Sequence, residues 1–66
     1  MKLRKYVGKN VKIIDVDGEE YVGKIGDYIW PDDNEPEVEA VILDNPEYAN
    51  PVQFNATDIK SIEIIS

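Results

Sequence analysis

The stretch Asn10–Trp30, NVKIIDVDGEEYVGKIGDYIW, decides the fold. Its first third, NVKIIDV, is β-branched and partly alternating, with Val11 and Ile13 on one face of a strand. The doublet Ile13–Ile14 breaks the alternation and predicts a bulge or a strand end buried on two sides. Asp17-Gly18 follows as the strongest short hairpin signal, because a type I′ turn needs positive φ at both central residues. The return strand, EEYVGKIGDYIW, is long and interrupted by Gly23 and Gly26. Glycine weakens a strand unless it permits a sharp bend or the close approach of another backbone, so this strand is expected to curve, with Gly23 at the tight point.

Upstream of this stretch, Leu3, Tyr6 and Val7 stand at i, i+3 and i+4, one face of a helix, and Gly8 is a natural stop. A short N-terminal helix or turn is predicted. Downstream, VEAVIL (38–43) is a short, nearly all-apolar strand that must be buried, and DNPEYANP (44–51) is a turn cluster with two prolines and two asparagines. VQF (52–54) alternates, TDIK (57–60) begins as a polar turn, and SIEII (61–65) places Ile62 and Ile64 at strand spacing. Five short strands with a tight link before the last predict a mainly β fold, a small and strongly bent barrel.

The chain of 66 residues makes one domain, 1–66, with one core. A domain this short buries only about 60% of its unfolded surface. It has neither cysteine nor histidine, which excludes disulfides, thiolate or imidazole metal sites and Cys/His nucleophile–base pairs. Oligomerisation is then the usual remaining way to gain buried area. The formal net charge is −7, unevenly spread. Lys2, Arg4, Lys5, Lys9 and Lys12 form a basic start, whereas Asp15 to Glu47 contains a single base, Lys24, among its many acids. A field of that sign repels phosphate backbones and favours solubility or basic partners. The longest apolar run, Ala40–Leu43, is far short of a membrane span, and the polar, basic first residues lack a signal-peptide core; cytoplasmic residence is expected.

Leu3, the run Tyr6-Val7-Gly8-Lys9, Val11 and Ile13, followed by Asp17-Gly18, Tyr21, Gly23, Ile25 and Tyr28, resemble the first half of the Sm-like fold, a five-stranded SH3-like barrel. The resemblance implies a leading short helix, a glycine on the bent second strand, and pairing of the last two strands between subunits of a homo-oligomer. It covers about the first 30 residues plus the strand order. The usual RNA-binding signature of that family departs here. Ile29 stands where an Asp follows the aromatic, Asp33 takes the expected Asn position with Asn34 one residue late, and Asn55-Ala56 replaces the Arg-Gly pair. Without that arginine no cation meets a phosphate or stacks beside a base, and uridine-rich RNA is not the expected ligand.

The segment IWPDDNEPE (29–37) crowds the only tryptophan, two prolines, an asparagine and four carboxylates into the link after the second strand. As a calcium loop starting at Asp32 it fails, because the fifth position is Pro36 and the bend glycine is missing. It reads as a polar loop whose prolines fix its path, with an irregular cation site on Asp32, Asp33 and Glu35 as the alternative. Asp15, Asp17 and Gly18 imitate half a calcium loop but are better explained by the hairpin. Tyr21, Tyr28, Trp30, Tyr48 and Phe54 either fill the core and rim or line a peptide groove, with Trp30 beside the acidic loop as the best groove candidate. SH3 peptide binders keep their long acidic loop after the first strand, not the second.

Candidate partner-binding residues are therefore Tyr28, Trp30, Asp32, Asp33 and Asn34. Candidate self-association residues are Val52, Phe54, Ile62 and Ile64 on the apolar closing strands. Abundant carboxylates without an activating neighbour do not make a catalytic pair, and Ser61 and Thr57 lack a base, so no catalytic, cofactor or metal residue is assigned. The expected function is a non-enzymatic protein–protein interaction or assembly module. Its rivals are a nucleic-acid module using the basic start with Lys9 and Lys12, and an acidic module that blocks a partner's basic cleft.

Overall fold

The computed structural model describes residues 2–66. The fold is mainly β: strands β1 (Asn10–Asp15), β2 (Glu20–Ile29), β3 (Ala40–Asp44), β4 (Val52–Asn55) and β5 (Ile59–Ile64) form one sheet in the order β4-β3-β2-β1-β5. All neighbours are antiparallel. Stacked layers lie about 10 Å apart and a flat sheet is thinner still. The near-equal extents of 29 × 23 × 23 Å therefore mean that this sheet is rolled up, as in a small SH3-like barrel.

The roll is made by β2. Its first half, Glu20–Lys24, pairs with β1, and its second half, from Lys24 to Ile29, pairs with β3, so the strand changes partner within its own length. Gly23 lies at the change. A Cβ there would run into the Asp44 carbonyl oxygen and stand 3.2 Å from Leu43 Cγ. The ladder to β3 then slips between Ile25 and Asp27, which makes Gly26 the extra residue of a bulge. Past Asp44 the chain leaves the sheet, and the backbone of Val22 has no strand on that side. Side chains take its place: Asn45 Nδ2 donates to the Val22 carbonyl at 2.7 Å, and the Val22 N–H donates to the Tyr48 hydroxyl at 3.1 Å. The DNPEYANP cluster is thus a ladder extension as well as a turn.

Inside the roll, Val11 and Ile13 of β1, Ile25 of β2, Val41 and Leu43 of β3, Phe54 of β4 and Ile59 of β5 are buried together with Leu3. Tyr21 bridges the aromatic side of this core, edge-on to Phe54 at 5.0 Å and to Tyr48 at 6.4 Å between centroids.

Several local expectations are corrected. The leading helix is only a single 3-10 turn, Arg4–Tyr6; Leu3 is fully buried whereas Val7 is 43% exposed. Gly8, at φ 82, halts the turn, and the chain straightens to pair Gly8 N–H with the Ile25 carbonyl and Ile25 N–H with the Lys9 carbonyl. The hairpin at Asp17-Gly18 is not type I′, because Asp17 does not have positive φ. Asp15 decides this: its carboxylate accepts from the N–H groups of Asp17 and Glu19, its carbonyl accepts from Gly18, and only Gly18 turns left-handed, at φ 88. That is a three-residue loop with a glycine bulge. β1 is regular through the Ile13–Ile14 doublet, where a bulge was foreseen; the ladder to β5 slips between Ile14 and Asp15, and the extra residue is Lys60 of β5. β3 starts at Ala40 rather than Val38, whose carbonyl is taken by Asn34, and β5 starts already at Ile59.

The two glycines of β2 should differ when substituted. At Gly23 the obstacle is backbone, so Gly23→Ala is expected to destabilise by clearly more than the ~1 kcal/mol span of strand propensity. At Gly26 the obstacle is the movable carboxylate of Asp44, and Gly26→Ala should cost less. Urea denaturation of both variants checks the contrast; equal, small losses would contradict the close approach at Gly23.

Candidate functional site

The end of β2 and the N-terminal turn meet on one side of the barrel. Leu3 fixes the turn by burying its side chain in the core, while its N–H donates to Glu39 Oε1 at 2.8 Å. That same oxygen accepts the Tyr28 hydroxyl at 3.1 Å. Glu39 therefore ties the first residues of the chain to the last turn of β2. Tyr28 stands edge-on to Trp30, with centroids 5.1 Å apart and planes at 88°, and the Arg4 guanidinium sits 4.9 Å from the Trp30 ring centre. A cation over an exposed indole is worth about 0.5–1 kcal/mol, enough to bias both side chains towards this arrangement. Lys5 leans over Tyr6 at 5.3 Å. Together Lys2, Arg4, Lys5, Tyr28, Trp30 and Glu39 line an open groove of about 480 Å³.

Of the five residues predicted from sequence to meet a partner, only Tyr28 and Trp30 lie in this groove. Trp30 is 50% exposed, as a contact residue requires. Asp32 and Asp33 sit on an exposed 3-10 turn, Pro31–Asp33, outside the lining. Asn34 is engaged within the fold: Nδ2 donates to the Val38 carbonyl and to Asn55 Oδ1, both at 2.9 Å, while Oδ1 accepts from Gln53 at 3.2 Å. Its role is to pin the acidic loop to β4. Among the described residues no group of three His, Cys, Asp or Glu side chains converges as metal ligands, and no helix is long and apolar enough to cross a membrane.

Arg4, Lys5 and Glu39 were not singled out by sequence as site residues. The basic start was visible, yet charge along a chain does not reveal which cations fold towards an aromatic pair. Lys12 goes elsewhere, to the outer face, between Glu63 at 3.2 Å and Glu20 at 3.7 Å. Its pKa is raised by the hydrogen bond and charge of Glu63 and then by Glu20.

The predicted self-association residues divide as well. Phe54 is buried in the core, because it lies opposite Val41 on the inner face, and its side chain is closed to a partner. Val52 and Ile62 also face inward, opposite Leu43 and Ile13, and are half-buried. Ile64 faces inward opposite Val11 but remains 52% exposed. Comparison with family models, with curated proteins and with solved structures yields no match, so the Sm-like resemblance rests on the residues of the chain itself.

Tyr28 gives this site a titration signature. Loss of hydration raises its phenol pKa, the hydrogen bond to Glu39 and the charge of Glu39 raise it further, and Arg4 opposes them. Folding thus favours the neutral phenol: the contribution is complete below pH ~10 and is lost as pH rises through the higher value of the folded state. The Tyr21 pKa is raised as well, by loss of hydration and then by the charges of Asp15 and Glu19, so phenolate absorbance should show late-titrating tyrosines of which Tyr28→Phe removes one. An unchanged alkaline limb in that variant would contradict the Tyr28–Glu39 contact.

Proposed function

We propose that this barrel is a non-enzymatic protein–protein interaction and assembly module that associates through the open edges of β4 and β5. The observation that carries this is the sheet order. β4 and β5 terminate the sheet, each pairing on one side only, and the 3-10 turn Ala56–Asp58 joins them without a shared ladder. Unpaired strand edges offer their N–H and C=O groups to another chain. The apolar surface on these strands is suited to burial: Ile64 and Ile65 are 52% and 49% exposed, and Val52 and Ile62 are half-buried. A barrel of 66 residues gains most from covering such surface. The Sm-like resemblance supports the same use of these strands.

The RNA-binding alternative finds less support. Asn34, one residue beyond the position where the Sm-like signature has its asparagine, is engaged by Asn55 and Gln53. Asn55 in turn caps the Ala56–Asp58 turn in a reciprocal pair with Asp58. The net charge of −7 opposes phosphate. An acidic module that blocks a partner's basic cleft agrees with that charge, but no structural feature favours it over edge pairing. On this reading the protein acts in the cytoplasm.

Sedimentation velocity across a range of concentrations tests the proposal. Wild type should sediment above its 7.5 kDa monomer mass. Ile64→Lys and Ile65→Lys, both at half-exposed positions at the end of the last strand, should shift it to monomer while leaving the β-sheet circular dichroism intact, because lysine on an edge opposes strand pairing. A wild type that stays monomeric, or an assembly that neither lysine disturbs, would contradict edge association.

A further inference from the structure

We propose that the groove between the N-terminal turn and the end of β2 is a docking site for an acidic, extended segment of a partner protein. Carboxylates of the segment would meet Lys2, Arg4 and Lys5, and one apolar side chain would rest against Trp30. The site is separate from the edges of β4 and β5, and its test is independent of theirs.

Charge is the first support. The chain is strongly acidic, yet the lining of this groove holds three of its seven cations. Among the described residues the only ion pairs are those of Lys12, so Lys2, Arg4 and Lys5 face the groove without a carboxylate at ion-pairing distance. The one acid in the lining, Glu39, is committed inward, its Oε1 accepting both the Leu3 N–H and the Tyr28 hydroxyl. The groove is thus a local inversion of the charge of the protein, and such an inversion attracts an anionic partner.

Preorganisation is the second. Trp30 is the most exposed aromatic beside this patch, but it is not loose: Tyr28 packs against it at 88° and Arg4 covers one face. Tyr28 is held in turn by Glu39, which is tied to Leu3 in the core. A half-exposed indole fixed in this way offers apolar area at little cost in side-chain entropy, the usual character of an interface anchor.

The surroundings select peptide over nucleic acid. Directly after Trp30 come Asp32, Asp33, Glu35 and Glu37, all exposed. A nucleic acid carries a charge at every phosphate and would be driven across this acidic wall. A peptide can place its carboxylates only where the three cations stand and pass the wall with neutral residues.

The chain's single tryptophan is in the groove, which makes its emission a direct reporter. The probe is an acetylated, amidated peptide in which Glu and Asp alternate with Leu and Phe, titrated beside a version with Lys and Arg in place of the acids and beside oligo-uridine. The acidic peptide should change Trp30 emission saturably, with affinity that falls as salt is raised. Arg4→Glu and Lys5→Glu should each weaken it by about fivefold or more, whereas Lys60→Glu, the same charge change on β5, should not. Trp30→Ala, followed by the anisotropy of a labelled peptide, should weaken binding without altering the circular dichroism. Absence of saturable binding, equal weakening by Lys60→Glu, or binding of oligo-uridine or the basic peptide in preference to the acidic one would overturn the proposal.

Discussion

The Asp44 carbonyl lies where a side chain at Gly23 would begin, and the rest of the barrel follows from that approach. It lets β2 leave β1 and take up β3 within one residue, at Lys24, so that a single strand serves both halves of the sheet. Any Cβ at Gly23 would push β3 outward and open the roll. The bulge at Gly26 continues the bend, and Asn45 with Tyr48 satisfies the one backbone stretch that the bend leaves without a strand. Buried polar groups rarely stay unpaired, and here none of the buried side-chain nitrogens or oxygens among the described residues lacks a partner.

The bend also makes the groove. By turning β2 across the barrel it carries Tyr28 and Trp30 to the side where Leu3 enters the core, and there Glu39 links the two ends. Sequence-distant residues are joined because Leu3 must be buried and the acidic loop must return to β3. The cations of the N-terminal turn are consequently held against an aromatic pair instead of trailing in solvent. Charge segregation along the chain thus becomes charge segregation in space: a basic groove on one side and, next to it, an acidic loop that Asn34 pins to β4.

Much of the fold was legible in the sequence because its signals are local and strong. Alternation at Val11 and Ile13, the all-apolar run at Ala40–Leu43 and the two glycines of β2 require little tertiary information. Turn chemistry was less legible: Asp17-Gly18 matches a type I′ preference, but the Asp15 carboxylate two residues earlier captures the N–H groups that set the loop. The N-terminal helix or turn is the shorter of the two forms expected, a single 3-10 turn. Its spacing was right for Leu3, but one buried side chain and a glycine halt at Gly8 leave room for a single turn. At the site, Trp30 was singled out as an aromatic beside the acidic loop, and it lines the groove. The internal hydrogen bonds of Asn34 were not legible because its partners, Asn55 and Gln53, are far along the chain. Arg4 and Glu39 were missed because the contact that matters joins the first and middle thirds of the sequence.

Native-state hydrogen exchange, followed amide by amide, tests most directly whether β2 binds the barrel into one unit. Ladder amides between β1 and β2 and those between β2 and β3 should exchange through the same global opening, with equal free energies and equal denaturant dependence, because neither half keeps its register without the bend. If the β3–β4 side instead opens at a distinctly lower free energy while β1, β2 and β5 stay protected, the close approach at Gly23 is not what holds the fold together, and the account is wrong at its centre.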